Sequence, residues 1–268
     1  MTEPKNIDRS KGILPQKEKG SLQPIIPQSI EEQRRLQLER LAAGFRLFAL
    51  YGFDEGLAGH ITLRDPEFSD HFWVNPLGMN FSQISVSDLL LVKEDGQIIQ
   101  GNRPINPAAF AIHSSIHKAR PDVNSAAHAH SIFGRTFSSL GKLLDPITQD
   151  AALFFQEQAI YDSYGGVAFD IEEGLAIAEA LGEKRTAILQ NHGLLTTGTS
   201  VDIAIWLFIA MDKCCQSQLL ADSAGSPIII SDEIALQAKA QAGTDMILWA
   251  SFQPLYDLIY AMEPNFLK

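Results

Sequence analysis

Residues 123–130 constrain this chain most: they form a run of small and apolar residues, VNSAAHAH, that ends in two histidines. The run predicts an extended strand, and residues i and i+2 of a strand point to the same face of a sheet. His128 and His130 are therefore predicted to lie side by side. Such a pair suits zinc, which binds histidine nitrogen and needs three or four ligands in all. Two ordinary histidines at a strand end give the same short pattern, so a further ligand has to come from elsewhere in the chain.

A third histidine, His192, follows the apolar run 186–189, which predicts a buried strand. With His128 and His130 it makes a pair plus one distant ligand. Catalytic zinc sites use this arrangement when one coordination position stays open for substrate. The sequence thus predicts a metal site on these histidines, with Zn²⁺ as the ion and Fe²⁺ or Mn²⁺ as alternatives.

The chain is acidic: 268 residues carry a formal net charge of −11, and the pI is about 5.0. No basic surface for nucleic acid or an anionic membrane is expected, so a small-molecule substrate is the predicted partner. No apolar run reaches the roughly 18 residues of a membrane span, and the first thirty residues lack the apolar core of a secretory signal. Cys214 and Cys215 are adjacent in a predicted helix and read as buried thiols, which fits a reducing, cytoplasmic location.

The pattern divides the chain into an arm and one domain. Residues 1–28 contain few apolar side chains and are predicted to be a flexible arm; an arm that wraps a neighbouring subunit is the alternative. Residues 29–268 are predicted to form a single domain. It begins with a long amphipathic helix from Ser29 to Gly52, because Ser29 and Glu32 have the spacing of a capping box. Short alternating strands follow up to residue 99, and Pro107 opens a second helix that ends at residue 119.

The second half of the domain mixes helices and strands. Helices are predicted at 132–140, 172–181, 200–224 and 232–242, and the last residues form an aromatic tail. The fold class is therefore α/β.

Three segments together carry a family resemblance: ARPDVN at 119–124, His128-Ala129-His130, and QNHGL at 190–194. They resemble the class II aldolase and adducin head-domain family, over residues 32–225. This family includes the zinc-dependent L-fuculose-1-phosphate, L-rhamnulose-1-phosphate and L-ribulose-5-phosphate enzymes. The resemblance implies a three-layer α/β/α fold with a central, largely antiparallel sheet. It also implies a homotetramer and a zinc ion held by His128, His130 and His192.

The chain departs from that family at the positions that carry its other chemistry. A gapless count from Arg120 puts the family's acid/base Glu on Ala109 and a phosphate-binding serine on Ala108. The Asn of the family's Gly-Asn-Val-Ser turn is His60, whose imidazole still has the capacity to contact an anion. The loop 75–78 resembles the family's Thr-Pro-Thr-Gly substrate loop but lacks both hydroxyls. These departures argue against a tightly held phosphate.

A retro-aldol cleavage leaves an enediolate, so it needs a Lewis acid and a base that removes a hydroxyl proton. The candidate bases are His60, Asp150 and Glu157, with Tyr161 and Tyr164 also available. Each of these also reads as an ordinary surface or core residue, and a metal-bound hydroxide is a further possibility. His113 and His117 lie four residues apart on a helix and are interpreted as structural.

Three functions follow. The first is a zinc-dependent aldolase-type lyase that acts on a small hydroxy-carbonyl compound, such as a sugar or sugar phosphate. The second is a metal-dependent decarboxylase or oxygenase that acts on a keto or aromatic acid. The third is an adducin-like module that binds a partner without catalysis. Loss of the Glu favours the third, whereas retention of three histidines favours an enzyme.

Overall fold

The computed structural model describes residues 22–166 and 171–268. Within them an eight-stranded sheet forms the centre of the domain, in the order β4-β3-β2-β1-β5-β8-β7-β6. The β6–β7 pair is parallel, whereas every other neighbouring pair is antiparallel. The strands are β1 (His60–Arg64), β2 (His71–Val74), β3 (Leu90–Lys93), β4 (Ile98–Gln100), β5 (Ser125–Ala129), β6 (Gln158–Tyr161), β7 (Thr186–Leu189) and β8 (Gly193–Gly198).

Eight α-helices accompany the sheet in the described residues. They are α1 (Ile30–Leu50), α2 (Pro107–Ala119), α3 (Ile132–Ser138), α4 (Gln149–Ala152), α5 (Ile171–Leu181), α6 (Val201–Ala224), α7 (Asp232–Ala242) and α8 (Asp245–Met262).

Two apolar clusters divide the helices between the faces of the sheet. The larger joins α1, α6 and α8 to one face, through sheet residues such as Ile61, Ala127 and Leu194. The smaller joins α2 and α5 to the other face, through Ala187 and Leu195 among others. A strand alternates its side chains between faces, so Ile61 and Leu63 of β1 and Ala127 and Ala129 of β5 enter the larger cluster, whereas the residues between them face the opposite layer. The predicted α/β/α layering with a largely antiparallel sheet is confirmed.

The helix α6 forms the centre of the larger layer. It is the one helix of the described residues with the length and apolar character of a membrane span, at a mean hydropathy of 1.2 over a window that is 61% buried inside the protein. That burial is typical of a core helix. Cys214 and Cys215 are buried and unbridged there, as expected.

The first helix begins as predicted: the Ser29 hydroxyl accepts a hydrogen bond from the Glu32 backbone N–H at 3.2 Å. The predicted arm lies outside the described residues, apart from residues 22–28.

Four of these helices and strands were not predicted: α4, β6, β8 and α8. The strand β8 is buried at all six positions, so it has no apolar–polar alternation. The aromatic tail is the helix α8, which contains Pro254 and is capped by Thr244.

Candidate metal centre

Three strands and one turn bring the predicted metal ligands together. His128 is on β5, which pairs on one side with β1 and on the other with β8. His130 follows β5 directly. The β7–β8 hairpin returns through residues 190–192, where Asn191 adopts a left-handed φ of 59° and the His192 N–H donates to Leu189 O at 2.9 Å. The tight turn thus places His192 beside the end of β5.

The next residue, Gly193, leaves the space for this approach. A Cβ atom there would lie 3.1 Å from the Ala129 carbonyl oxygen and 3.5 Å from His128 Cε1. The hairpin therefore packs against β5 at its backbone, because no side chain separates the two strands at this point.

The three imidazoles converge. Ring centres are 5.1 Å apart for His128 and His130, 4.7 Å for His128 and His192, and 5.0 Å for His130 and His192. One nitrogen of each ring lies within 4.8 Å of those of the other two. His128 is 1% exposed, whereas the other two are half-buried. The arrangement supplies three nitrogen ligands and leaves one side open toward solvent.

The hydrogen bonds of the rings fit a metal ion. His128 Nδ1 lies 2.8 Å from Leu194 O, and a carbonyl only accepts, so Nδ1 carries the hydrogen and the Nε2 lone pair is free to ligate. His192 Nδ1 is buried with no hydrogen-bond partner among the described residues. A buried polar atom without a partner is costly. The donor set therefore fits a divalent ion held by His128, His130 and His192.

Burial keeps the imidazoles in the neutral form that binds metal. Desolvation is the main cause that lowers the pKa of all three rings. It takes the pKa of His128 well below its ordinary value and, with the neighbouring His130, lowers the pKa of His192 to about 4. For His130 the Arg135 guanidinium adds to the effect of burial.

A cavity of about 320 Å³ opens onto the three histidines. Its wall is largely apolar, and among the described residues it includes no Lys, Arg, Asp or Glu. The lining residues are Leu57, Ala58, Gly59, His60, Leu77, Asn106, Pro107, Ala108, Ile112, His128, His130 and His192. The side chain of Asn106 is already engaged as the cap of α2, where it accepts from Ala108 N at 3.0 Å and donates to Leu57 O at 3.1 Å.

His60 lies in this cavity, directly opposite His128 in the β1–β5 pairing, and the two ring centres are 5.0 Å apart. The preceding Gly59 has a φ of 92°, and a Cβ atom there would lie 3.0 Å from Phe81 and 3.3 Å from the His128 carbonyl oxygen. A glycine is therefore needed for β1 to enter the sheet with His60 facing the metal ligands.

The two alanines that mark the departure from the family face different surroundings. Ala108 lines the cavity, whereas Ala109 is 1% exposed and packs in a separate cluster with Phe72 and Val74. The position that lines the cavity of the three histidines is thus Ala108, one residue before the position that the gapless count assigned to the Glu.

The other candidate bases lie elsewhere, with one exception. Glu157 lines two different cavities, and its carboxylate is 3.0 Å from Lys239 Nζ. Asp150 lies in the first turn of α4 and is not among the lining residues of the metal-binding cavity. Tyr161 packs in the cluster beneath α2 and α5. Tyr164 does approach: its ring centre is 6.3 Å from that of His192.

Sequence reasoning did not identify a polar row beneath the site. On β1, His60, Thr62 and Arg64 alternate with Ile61 and Leu63 and so face α2. There, Thr62 contacts His113 and His117, both fully buried. Neither ring belongs to the three-histidine cluster. The alternation in β1 and the four-residue spacing of the two helical histidines were the available signals.

Comparison with known proteins decides the family. The family model for Class II Aldolase and Adducin N-terminal domain matches residues 39–219. The chain belongs to this family. It is 42% identical over 245 residues to the decarboxylase NovR of Streptomyces niveus, and the aligned region covers 91% of each chain. It is also 42% identical over 236 residues to a 4-hydroxy-3-prenylphenylpyruvate oxygenase/4-hydroxy-3-prenylbenzoate synthase of Streptomyces roseochromogenus, covering 87% of this chain and 85% of that one.

Among solved structures, an L-fuculose 1-phosphate aldolase from Glaciozyma antarctica is 41% identical, with a TM-score of 0.86. The likeness covers 92% of this chain and 97% of that one. Relatives that are similarly identical to this chain in sequence are thus named for different reactions. The chemistry of this chain therefore has to be argued from its own site.

Proposed function

We propose that this protein is a divalent-metal enzyme that cleaves a carbon–carbon bond next to a carbonyl group of a small oxo or hydroxy acid with an apolar, aromatic portion. The observation that carries the proposal is the cavity itself. Three convergent imidazoles form one end, while Leu57, Leu77 and Ile112 form an apolar wall. A carboxylate and an adjacent oxygen of the substrate suit the histidine end of the cavity, and an aromatic ring suits the apolar wall.

A metal ion on the three histidines would supply a Lewis acid for two adjacent substrate oxygens. The chain's own groups do the rest. The hydrogen bond from His128 Nδ1 to Leu194 O holds this ligand in one orientation. The apolar wall excludes water from the cleaved bond, and His60 faces the substrate oxygens from the neighbouring strand. In the decarboxylation of a 3-oxo acid, carbon dioxide leaves, the electron pair of the broken bond passes to the 3-carbonyl oxygen, and the enolate is then protonated at carbon. A 2-oxo acid has no carbonyl in that position, so its cleavage needs dioxygen as the oxidant.

The named activities of the two relatives at 42% identity support this substrate class, because one is called a decarboxylase and the other acts on a prenylated phenylpyruvate. An oxygenase reaction on a 2-oxo acid requires dioxygen as a co-substrate, which would favour iron over zinc as the bound ion.

A second candidate is an aldolase that cleaves a sugar phosphate, with zinc as the ion. It is supported by the 41% identity to the Glaciozyma antarctica aldolase. The cavity favours it less, because the described lining residues include no cation for a phosphate and Ala108 offers no hydroxyl.

The test is an assay of the purified protein loaded in turn with Zn²⁺, Fe²⁺ and Mn²⁺, with and without dioxygen. The substrates are 4-hydroxyphenylpyruvate, 4-hydroxymandelate and L-fuculose 1-phosphate. Metal-dependent release of carbon dioxide from an aromatic acid is expected, and His192→Ala should abolish it. Turnover of the sugar phosphate alone would replace the first candidate by the second. Absence of a bound metal would instead favour an adducin-like binding module.

We also propose a homotetramer in the cytoplasm, with no nucleic-acid or membrane partner. The acidic charge of −11 and the family resemblance support these statements. Light scattering after size exclusion measures the subunit number, and a monomer would contradict the assembly.

A further inference from the structure

A line of buried hydrogen bonds runs from the metal-binding cavity to a backbone carbonyl. His60 Nδ1 lies 2.6 Å from His113 Nε2, and His113 Nδ1 lies 2.6 Å from Thr62 Oγ1. Thr62 Oγ1 lies 2.9 Å from His117 Nε2, and His117 Nδ1 lies 3.4 Å from Val123 O. The four side chains are at most 3% exposed. Their hydrogen bonds therefore have to be satisfied within the line.

The carbonyl at the far end sets the direction of the line. A carbonyl oxygen only accepts, so His117 Nδ1 carries the hydrogen, and Nε2 of the neutral ring is an acceptor. Thr62 has a single hydroxyl hydrogen, which it donates to that Nε2. Thr62 then accepts from His113 Nδ1–H, which leaves His113 Nε2 to accept from His60 Nδ1–H. The remaining nitrogen of His60, Nε2, keeps its lone pair.

The three rings of the line are neutral in this arrangement, and their surroundings favour the neutral form. Burial lowers the pKa of His60 and His113 well below the ordinary value and lowers the pKa of His117 to about 3. The Arg64 guanidinium, which donates to His117 O at 2.6 Å, adds a positive charge at the far end. That charge opposes transfer of a proton along the line to His117. The hydrogen bonds of the line therefore favour one tautomer of each ring.

We infer that His113, Thr62 and His117 are positioning residues that lock His60 in one tautomer, so that its unprotonated Nε2 selects a substrate with a hydroxyl group beside the metal. The inference rests on the proposed function, because it assigns the orientation of the substrate in that cavity. A lone pair attracts the hydrogen of a hydroxyl and repels the oxygen of a carboxylate or phosphate. The inference therefore places the substrate hydroxyl, and not its carboxylate, next to His60.

The tautomer is measured directly in the unmodified protein. Two-bond ¹H–¹⁵N correlation spectra of protein labelled with ¹⁵N-histidine distinguish protonated from unprotonated ring nitrogens, with His60→Gln giving the assignment. The expected result is a protonated Nδ1 and an unprotonated Nε2 for His60, with or without Zn²⁺. A protonated Nε2 on His60 would overturn the inference.

Selection of the hydroxyl is measured by calorimetry on Zn²⁺-loaded protein, with mandelate and its methyl ether as probes. Thr62→Val removes the hydroxyl of the line at nearly constant shape, and Thr62→Ser restores it. The preference for mandelate should fall about fivefold to tenfold in Thr62→Val, the range of one hydrogen bond, and return in Thr62→Ser. An unchanged preference in a folded Thr62→Val protein would contradict the inference.

The two proposals fail separately. A His60 ring with an unprotonated Nε2, in a protein without lyase activity on any substrate of the panel, would contradict the proposed function alone. A protonated Nε2 in an active enzyme would contradict this inference alone.

Discussion

Two sets of histidines stand on the same face of the sheet, and their hydrogen bonds give them different roles. In the first set, His128, His130 and His192 converge, and the buried Nδ1 of His192 has no hydrogen-bond partner among the described residues. The second set contains His60, His113 and His117. Hydrogen bonds connect these rings one after another, with Thr62 between His113 and His117. The first, convergent set has the features of a metal site, because its rings meet with a nitrogen free to bind an ion. The second, serial set has the features of a structural network, because hydrogen bonds connect its rings to one another and to Thr62.

The largest effect is expected from removal of one member of the convergent set. His192→Ala should weaken Zn²⁺ binding by more than the ~10–100-fold that is typical for loss of an outer-shell partner. Competition with a chromophoric chelator measures the affinity. The control is His71→Ala, because His71 lies on β2 and pairs with Asp70 at 2.8 Å, outside the cavity. Equal affinities for the two variants would remove the distinction between the sets.

Removal of a member of the serial set should instead reduce stability. His113→Phe leaves His60 Nδ1 without its partner at a buried position, while Thr62 Oγ1 keeps only its hydrogen bond to His117 Nε2. Each unsatisfied group costs about 1–3 kcal/mol, so the free energy of unfolding in urea should fall by at least this amount. Loss of metal affinity as large as in His192→Ala, without loss of stability, would show that His113 belongs with the ligands.

The serial set should also make the protein sensitive to acid. His117 has its pKa lowered to about 3 in the folded protein, against about 6.5 in the unfolded chain. Between these values the unfolded state binds the extra proton, so stability falls as the pH decreases from about 6.5 toward 3. His117→Gln should flatten this part of the stability profile of the metal-free protein. An unchanged slope in the variant would mean that this ring is not buried in its neutral form.

The smallest effect is expected outside both sets. Glu157 pairs with Lys239 at a partly exposed position and lines other cavities. Glu157→Gln should change stability by no more than about 1 kcal/mol and leave metal affinity unchanged. Steady-state kinetics on whichever of the three assayed substrates is turned over provides the check. A large loss of kcat would instead indicate that Glu157 acts as the base.

The sequence was sufficient for the convergent set because its signals are local. His128 and His130 have strand spacing, and His192 follows a recognisable buried strand. The ends of several elements were predictable for a similar reason, since caps such as Ser29 and turns with glycine mark them, whereas the three-layer arrangement was implied by the family resemblance. The fully buried β8 has no alternation of apolar and polar residues. It pairs with β7 across a short turn and with β5, which is more than 60 positions away, so tertiary burial decides its structure.

The candidate bases could be chosen by residue type only, because their positions depend on the fold. Asp150 and Glu157 have suitable chemistry but lie away from the cavity, whereas Leu57, Leu77 and Ile112 carry no chemical motif and shape it. The serial line joins β1 to α2 across about fifty positions, and only the fold brings the two segments together.

The most direct test of the central claim is the metal content of the protein purified without added metal, measured by inductively coupled plasma mass spectrometry. The prediction is about one divalent ion per chain, of zinc, iron or manganese, and loss of that ion in the His128→Ala and His192→Ala variants. A wild-type protein that carries no such ion, and whose thermal unfolding is not shifted when Zn²⁺, Fe²⁺ or Mn²⁺ is added, would contradict the account.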